Sequence, residues 1–215
     1  MGMMQRLKGL IGGTARELGY EIRKIRSAPP APAGAVAVPD GVRGVHDGCG
    51  TLIVPGWLNL DYAPPAAGIG PGLHFLPVDL SLGHPFADGS FGFGYAEDFL
   101  EHLSEAPSLQ FLGEAHRTLR RGGVLRLSFP GLEGVLRKHY VDGSLEVMRQ
   151  AQWDAYDKWG HVHFYAREEL RLVATHLGFS AVEFQSFQES AIPELGQMDS
   201  RAAQSDLNTY AELTR

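Results

Sequence analysis

The residues best suited to chemistry fall in a fixed order along the chain. Gly48-Cys49-Gly50 follows a weak strand-like run, Asp61 closes WLNLD, Asp79 lies in VDLS, and Glu97-Asp98 ends SFGFGYAED. Glycines after a first strand let the backbone approach a ligand and leave N–H groups free to point at it. A carboxylate ending the next strand is placed to accept hydrogen bonds from two ribose hydroxyls. An Asp after the third strand can accept from the exocyclic amine of adenine. In open α/β sheets, ligands collect at the carboxyl ends of the strands, where all three features lie. With 27 glycines in the chain, GCG alone says little. The ordered set carries the reading.

Histidines supply the candidate bases, since they titrate near neutral pH. His161 and His163 in GHVHFYAREEL alternate, so an extended segment puts both on one face; the opposing reading is that they stabilise the helix that follows. His102 in FLEHL is a third candidate, weighed against a half-buried helix residue bonded to a backbone carbonyl. His139-Tyr140, Trp153, Tyr156 and Trp159 lie in the stretch 131–165. They suit either a stacking floor for an acceptor or a small aromatic core under a lid. Cys49, the single cysteine, would need a depressed pKa and a partnered base to act as a nucleophile. His46 is three residues away with nothing to bring the two together, so Cys49 reads as a small residue between glycines. No HExxH or paired-cysteine spacing occurs, and no metal site is expected.

These residues need an α/β frame to hold them. Short apolar runs alternating with helical patterns predict a mainly parallel sheet, with strands at about 43–47, 57–61, 73–77, 91–96, 123–129, 181–187 and 207–213. The best helix is 105–120, with Ser104 as its cap, Leu109, Leu112, Ala115, His116 and Leu119 on one face, and Gly122-Gly123 as its stop. A second is 167–177, ended by Gly178. Only residues 51–56 separate Gly50 from WLNLD. A helical parallel crossover needs about a dozen residues, so the first helix of such a fold must be lost or reduced to a turn.

The segments GCG, PGWLNLD, VDLS, PFADGSFGFGYAEDFLEHL, FLGEAHRTLRRGGVLRLSFP and HVHFYAREEL resemble class I S-adenosylmethionine-dependent methyltransferases. The closest likeness is to a type 11-like bacterial group often associated with glycan or natural-product synthesis. The resemblance spans about residues 42–215 and implies the Rossmann-like seven-stranded mixed sheet of that class. It also implies S-adenosyl-L-methionine as cofactor, with Gly48 and Gly50 beside its methionine part, Asp61 on the ribose, Asp79 and Leu80 on the adenine, and Glu97 facing cofactor and substrate. His46 departs from the pattern, standing where an acidic residue is usual, and so does Leu52, in the place of a third glycine. The implied reaction is methyl transfer to a small-molecule or saccharide acceptor at oxygen, with His163, His161 and His102 as candidate bases.

The chain divides into a basic helix at 1–26, a Pro/Ala-rich linker at 27–41 and the methyltransferase-like domain at 42–215. The net charge of −6 argues against a nucleic-acid partner. Six basic and two acidic residues fall within 1–26, so that segment is net +4 and the remainder −10. The basic stretch suits a cover over the domain or a peripheral membrane contact. The departures in the glycine loop motivate a second reading, an inactive methyltransferase-fold scaffold that uses this segment to dock on a membrane-associated biosynthetic assembly. One cysteine and the lack of a signal-peptide pattern or a long apolar run point to the cytoplasm. The sequence leaves the oligomeric state open.

Overall fold

The structure, a computed structural model, describes residues 35–215. The basic N-terminal segment 1–26 and most of the linker lie outside the described residues. Where the chain enters view, Val36 donates its N–H to the Pro85 carbonyl at 2.6 Å, and Val36 and Val38 pack on the core. The last part of the linker is thus joined to the domain.

Seven strands form one sheet: β1 (Val45–Asp47), β2 (Leu58–Asp61), β3 (His74–Pro77), β4 (Phe91–Glu97), β5 (Leu119–Pro130), β6 (Ala181–Gln185) and β7 (Asn208–Thr214). Their order is β3-β2-β1-β4-β5-β7-β6. β7 alone runs opposite to the other six, pairing antiparallel with β5 and β6. Among the described residues the α-helices are α1 (Glu105–Thr118), α2 (Leu132–His139), α3 (Leu145–Gln152) and α4 (Arg167–His176). β1 passes to β2 through turns alone, as the short link requires.

Helix α1 stops two residues earlier than its periodicity predicts. Leu119 is already extended, donates its N–H to the Ala115 carbonyl, and pairs with Phe91 of β4. The Gly122-Gly123 pair therefore lies inside β5 and does not terminate a helix. Ser104 occupies the N-cap position without a side-chain hydrogen bond.

The two faces of the sheet are covered differently. On one, Val45, Leu60, Leu125, Leu127, Ala211 and Leu213 pack against Phe111, Leu112 and Ala115 of α1 and Leu170 and Ala174 of α4. Each large aliphatic side chain fully buried here contributes about 1.5–3 kcal/mol. On the other face, Trp57, Tyr95 and Val124 lie under Leu195, with Ile192 and Met198 against them. The segment after β6 thus covers strands whose crossovers bring no helix. Arg126 lies fully buried on this face, held by Asp199 at 2.6 Å and Glu212 at 2.8 Å. Two carboxylates around one guanidinium tie β5, β7 and the covering segment together.

Candidate functional site

The site is built at the carboxyl ends of β1 to β5. After Asp47 the chain turns through Gly48 at φ +65°, a left-handed conformation that favours glycine. A Cβ on Gly48 would stand 2.4 Å from the Phe99 ring. The Cys49 N–H donates to the Leu60 carbonyl at 2.9 Å, which fastens the loop to β2. The Asp61 carboxylate accepts from the Gly50 N–H at 2.8 Å and from the Tyr62 N–H at 2.6 Å.

Around this loop lies a pocket of about 230 Å³, lined among others by Gly48, Asp61, Asp79, Leu80 and Phe99. Asp79 turns one oxygen to the Ser81 N–H at 3.1 Å and hydroxyl at 2.5 Å, a local turn that holds its carboxylate at the pocket wall. Leu80 is buried against the core. Four residues scattered over 48–80 by sequence thus share one cavity. Gly50 belongs to the same loop and touches the pocket through Asp61. Glu97 is elsewhere: Ser200 donates both its N–H, at 2.8 Å, and its hydroxyl to that carboxylate. Glu97 secures the covering segment and does not line this pocket.

His46, which departs from the family pattern, and its neighbour Asp47 are both buried beneath the loop. His46 bonds Asn59 at 3.1 Å, and Asp47 bonds His84 at 2.9 Å. Neither faces the cavity. Cys49 is buried too, and burial, reinforced by Asp61, pushes its thiol up to about 12. A thiol held protonated is no nucleophile at neutral pH.

A second, larger pocket of about 460 Å³ opens on the other side of the short helical turn Leu100–His102. Phe99 and Leu103 line the first pocket, while Asp98, Glu101 and His102 line the second. One turn of chain therefore separates the two cavities. The second is closed by α2 and the bend after α3, which supply Lys138, His139, Lys158 and Trp159, and by Arg201 from the covering segment. Asp98, at φ +50°, pairs with Arg201 at 3.0 Å.

The three candidate bases part company here. His102 and His161 meet edge to face, ring centroids 4.8 Å apart, in the second pocket. His161 Nδ1 lies 2.7 Å from the Ala155 carbonyl, and burial lowers its pKa. His163 lies outside both pockets. Its Nε2 bonds Glu169 at 3.0 Å, while the other Glu169 oxygen accepts from the Ala166 N–H at the start of α4. The aromatic set also divides. Tyr156 packs edge-on to Phe164 in a small core with Val135 and Ala155, Trp159 lines the pocket, and Trp153 is exposed.

Glu101 precedes His102 in FLEHL with nothing in the sequence to mark a role for it. In the structure it is the most unusual group of the site: buried, with neither carboxylate oxygen hydrogen-bonded. Burial, with Asp98 adding, pushes its carboxyl up to about 8. Lys138, Lys158 and Arg201 carried no signal at all, because they reach the pocket from three separate segments.

Residues 59–127 match the methyltransferase domain family. No curated protein matches the chain in sequence. Solved structures are similar in fold. An S-adenosylmethionine-dependent methyltransferase from Mesorhizobium loti is 21% identical, covering 83% of this chain and 94% of its own, with a TM-score of 0.52. A methyltransferase of the same dependence from Archaeoglobus fulgidus is 13% identical over 96% of this chain and 94% of its own, with a TM-score of 0.52. Phosphoethanolamine N-methyltransferase 2 of Haemonchus contortus, in complex with phosphomonomethylethanolamine and S-adenosylhomocysteine, is 11% identical over 86% of this chain and 50% of its own, with a TM-score of 0.53.

Proposed function

We propose that this chain, which has the class I S-adenosylmethionine-dependent methyltransferase fold, transfers a methyl group to an oxygen of a small-molecule or saccharide acceptor. The observation that carries the reading is the cavity in which Gly48, Asp61, Asp79 and Leu80 converge at the ends of β1 to β3, divided from a second cavity by a single turn.

The residues fit the cofactor. Asp61 keeps lone pairs for a ribose diol while its bonds to Gly50 and Tyr62 hold it still. Asp79 presents an acceptor for the adenine amine beside the apolar walls of Val78, Leu80 and Leu103. At about 230 Å³ this cavity is smaller than the roughly 300–1,000 Å³ of sites that enclose a whole ligand, and suits the nucleoside half. Gly48 and the loop it opens would hold the methionine half. Bound S-adenosylmethionine supplies an electrophilic methyl on a sulfonium.

The chain's own part is to place an acceptor on the far side of that turn and take up its proton. Trp159 and Phe164 offer apolar surface for the acceptor, and Lys138 and Lys158 offer charge. His102 is exposed at the pocket wall and His161 half-buried behind it, so both are placed to handle the proton. His163, bound to Glu169, serves the start of α4.

Calorimetry with S-adenosylmethionine and S-adenosylhomocysteine tests the cofactor assignment, and transfer of radiolabelled methyl to a panel of hydroxylated acceptors tests the reaction. Micromolar binding of either ligand supports the reading; a folded protein that binds neither at millimolar concentration overturns it.

A further inference from the structure

We propose that Glu101, His102 and His161 bind a divalent transition-metal ion in the wall of the second pocket. One ligand atom from each residue can be chosen so that all three lie within 4.8 Å of one another.

Glu101 provides the first argument. A buried carboxylate with no hydrogen-bond partner on either oxygen is costly, and natural structures leave few such groups unexplained. Its own backbone N–H and the Arg201 charge favour the carboxylate, but burial outweighs both. The nearest basic atom, His161 Nε2, stops at 3.8 Å from Oε1. A hydrogen bond between these atoms would close to about 2.9 Å. Two ligands each ~2.1 Å from a tetrahedral ion stand about 3.4 Å apart, so the gap matches an ion better than a proton.

The histidines provide the second. His161 faces the Ala155 carbonyl with Nδ1, at 2.7 Å. Donation from Nδ1–H fixes the tautomer and leaves the Nε2 lone pair toward Glu101, the arrangement usual for metal-bound histidines. His102 Nδ1 lies 3.4 Å from the Gly160 carbonyl, a longer contact than that of His161. The two segments are strapped together by backbone: the N–H groups of Val162 and His163 both donate to the Glu101 carbonyl, at 2.8 and 3.3 Å. The backbone thus holds the three residues side by side, and the ligand atoms, within 4.8 Å of one another, have only to close in on an ion.

Two imidazoles and one carboxylate suit zinc, manganese, iron or cobalt better than calcium, which prefers an all-oxygen shell. Three protein ligands leave coordination positions open, and exposed His102 turns them to the pocket. The ion's use rests on the methyl-transfer reading; its binding does not. With the ion bound, His102 and His161 are ligands and no longer bases, and an acceptor hydroxyl on the ion gives its proton to water instead. The oxygen lone pair then forms the C–O bond as the C–S bond breaks, and that bonding pair goes to sulfur, leaving a neutral thioether.

The test titrates the full chain, stripped with a chelator, with cobalt(II), following visible absorption and calorimetry. One cobalt per chain is expected, displaced by zinc, and bound equally with or without S-adenosylmethionine. Glu101→Gln and His161→Ala should each weaken binding at least about tenfold. His102→Ala alters an exposed side chain, folds irrespective of the outcome, and should do the same. His176→Ala, exposed on α4, should bind as the unaltered chain does. Absence of cobalt binding, or binding that His102→Ala leaves unchanged, overturns the site. Cobalt binding without any methyl transfer supports the site and overturns its role in the reaction.

Discussion

The Gly50 N–H donates to Asp61 Oδ2 at 2.8 Å, so the glycine loop is fastened to the carboxylate proposed to hold the ribose. Loop and binding group are one mechanical unit. In a fold lacking its first crossover helix, this bond and the Cys49 N–H to the Leu60 carbonyl anchor the loop to β2.

Asp61→Ala removes both the ribose acceptor and the anchor. Hydrogen bonds to a charged group contribute about 1.5–3 kcal/mol each. S-adenosylhomocysteine should therefore bind roughly 10- to 100-fold more weakly by calorimetry. An unchanged dissociation constant sinks the ribose assignment.

Gly48→Ala is expected to destabilise the protein by about 1–3 kcal/mol, since it combines a left-handed backbone with a clash. Its new methyl meets Phe99, whereas a Cβ at Gly50, φ +53°, has no atom within 4 Å. Thermal unfolding should rank Gly48→Ala well below Gly50→Ala. Equal melting temperatures would refute close packing of Phe99 on the loop.

Arg126→Met strands two buried carboxylates, Asp199 and Glu212. Breaking one side of a buried ion network costs about 3–5 kcal/mol. Urea unfolding should show a loss of that size, with part of it restored when Asp199→Leu and Glu212→Leu are added. A loss under ~1 kcal/mol would mean the covering segment is held by its apolar contacts alone.

His84 sits buried between Asp47, the Glu114 carboxylate and the rings of Phe86 and Phe111. Burial opposes its charge, but the Asp47 charge and hydrogen bond outweigh burial and raise its pKa. A raised folded-state pKa adds stability below the unfolded value of about 6.5, and that stability is lost as pH rises through the folded value. Subtracting the stability of His84→Gln from that of the unaltered chain isolates this proton from histidines shifted the other way, such as His46. The difference should be largest below about pH 6.5 and decline above it. A difference that grows with pH would show His84 to be buried neutral.

The strand pattern was open to reading because period-two alternation and short apolar runs report local exposure, which each segment carries within itself. All seven predicted strands have counterparts in the sheet, and the missing first helix followed from chain length alone. Helix α1 is shorter than its periodicity implies, because the pattern runs into Leu119, which pairing with Phe91 claims for β5. No local signal foretells a partner 28 positions away.

The candidate site divides along the same line. Asp61 ends a parallel strand and Gly48 and Asp79 follow two others, and parallel strands bring their ends to one edge of a sheet, so the order of residues already implied their meeting. His161, His163 and Glu97 could not be sorted that way. Their roles depend on side-chain direction against distant partners: Glu101 for the first, Glu169 for the second, Ser200 for the third. What the sequence determined by itself was the frame and the cofactor-edge residues, because those rest on periodicity and connection length. Only the tertiary structure decided which carboxylate was left buried without a partner, because burial and hydrogen bonding are settled by what long-range packing brings alongside.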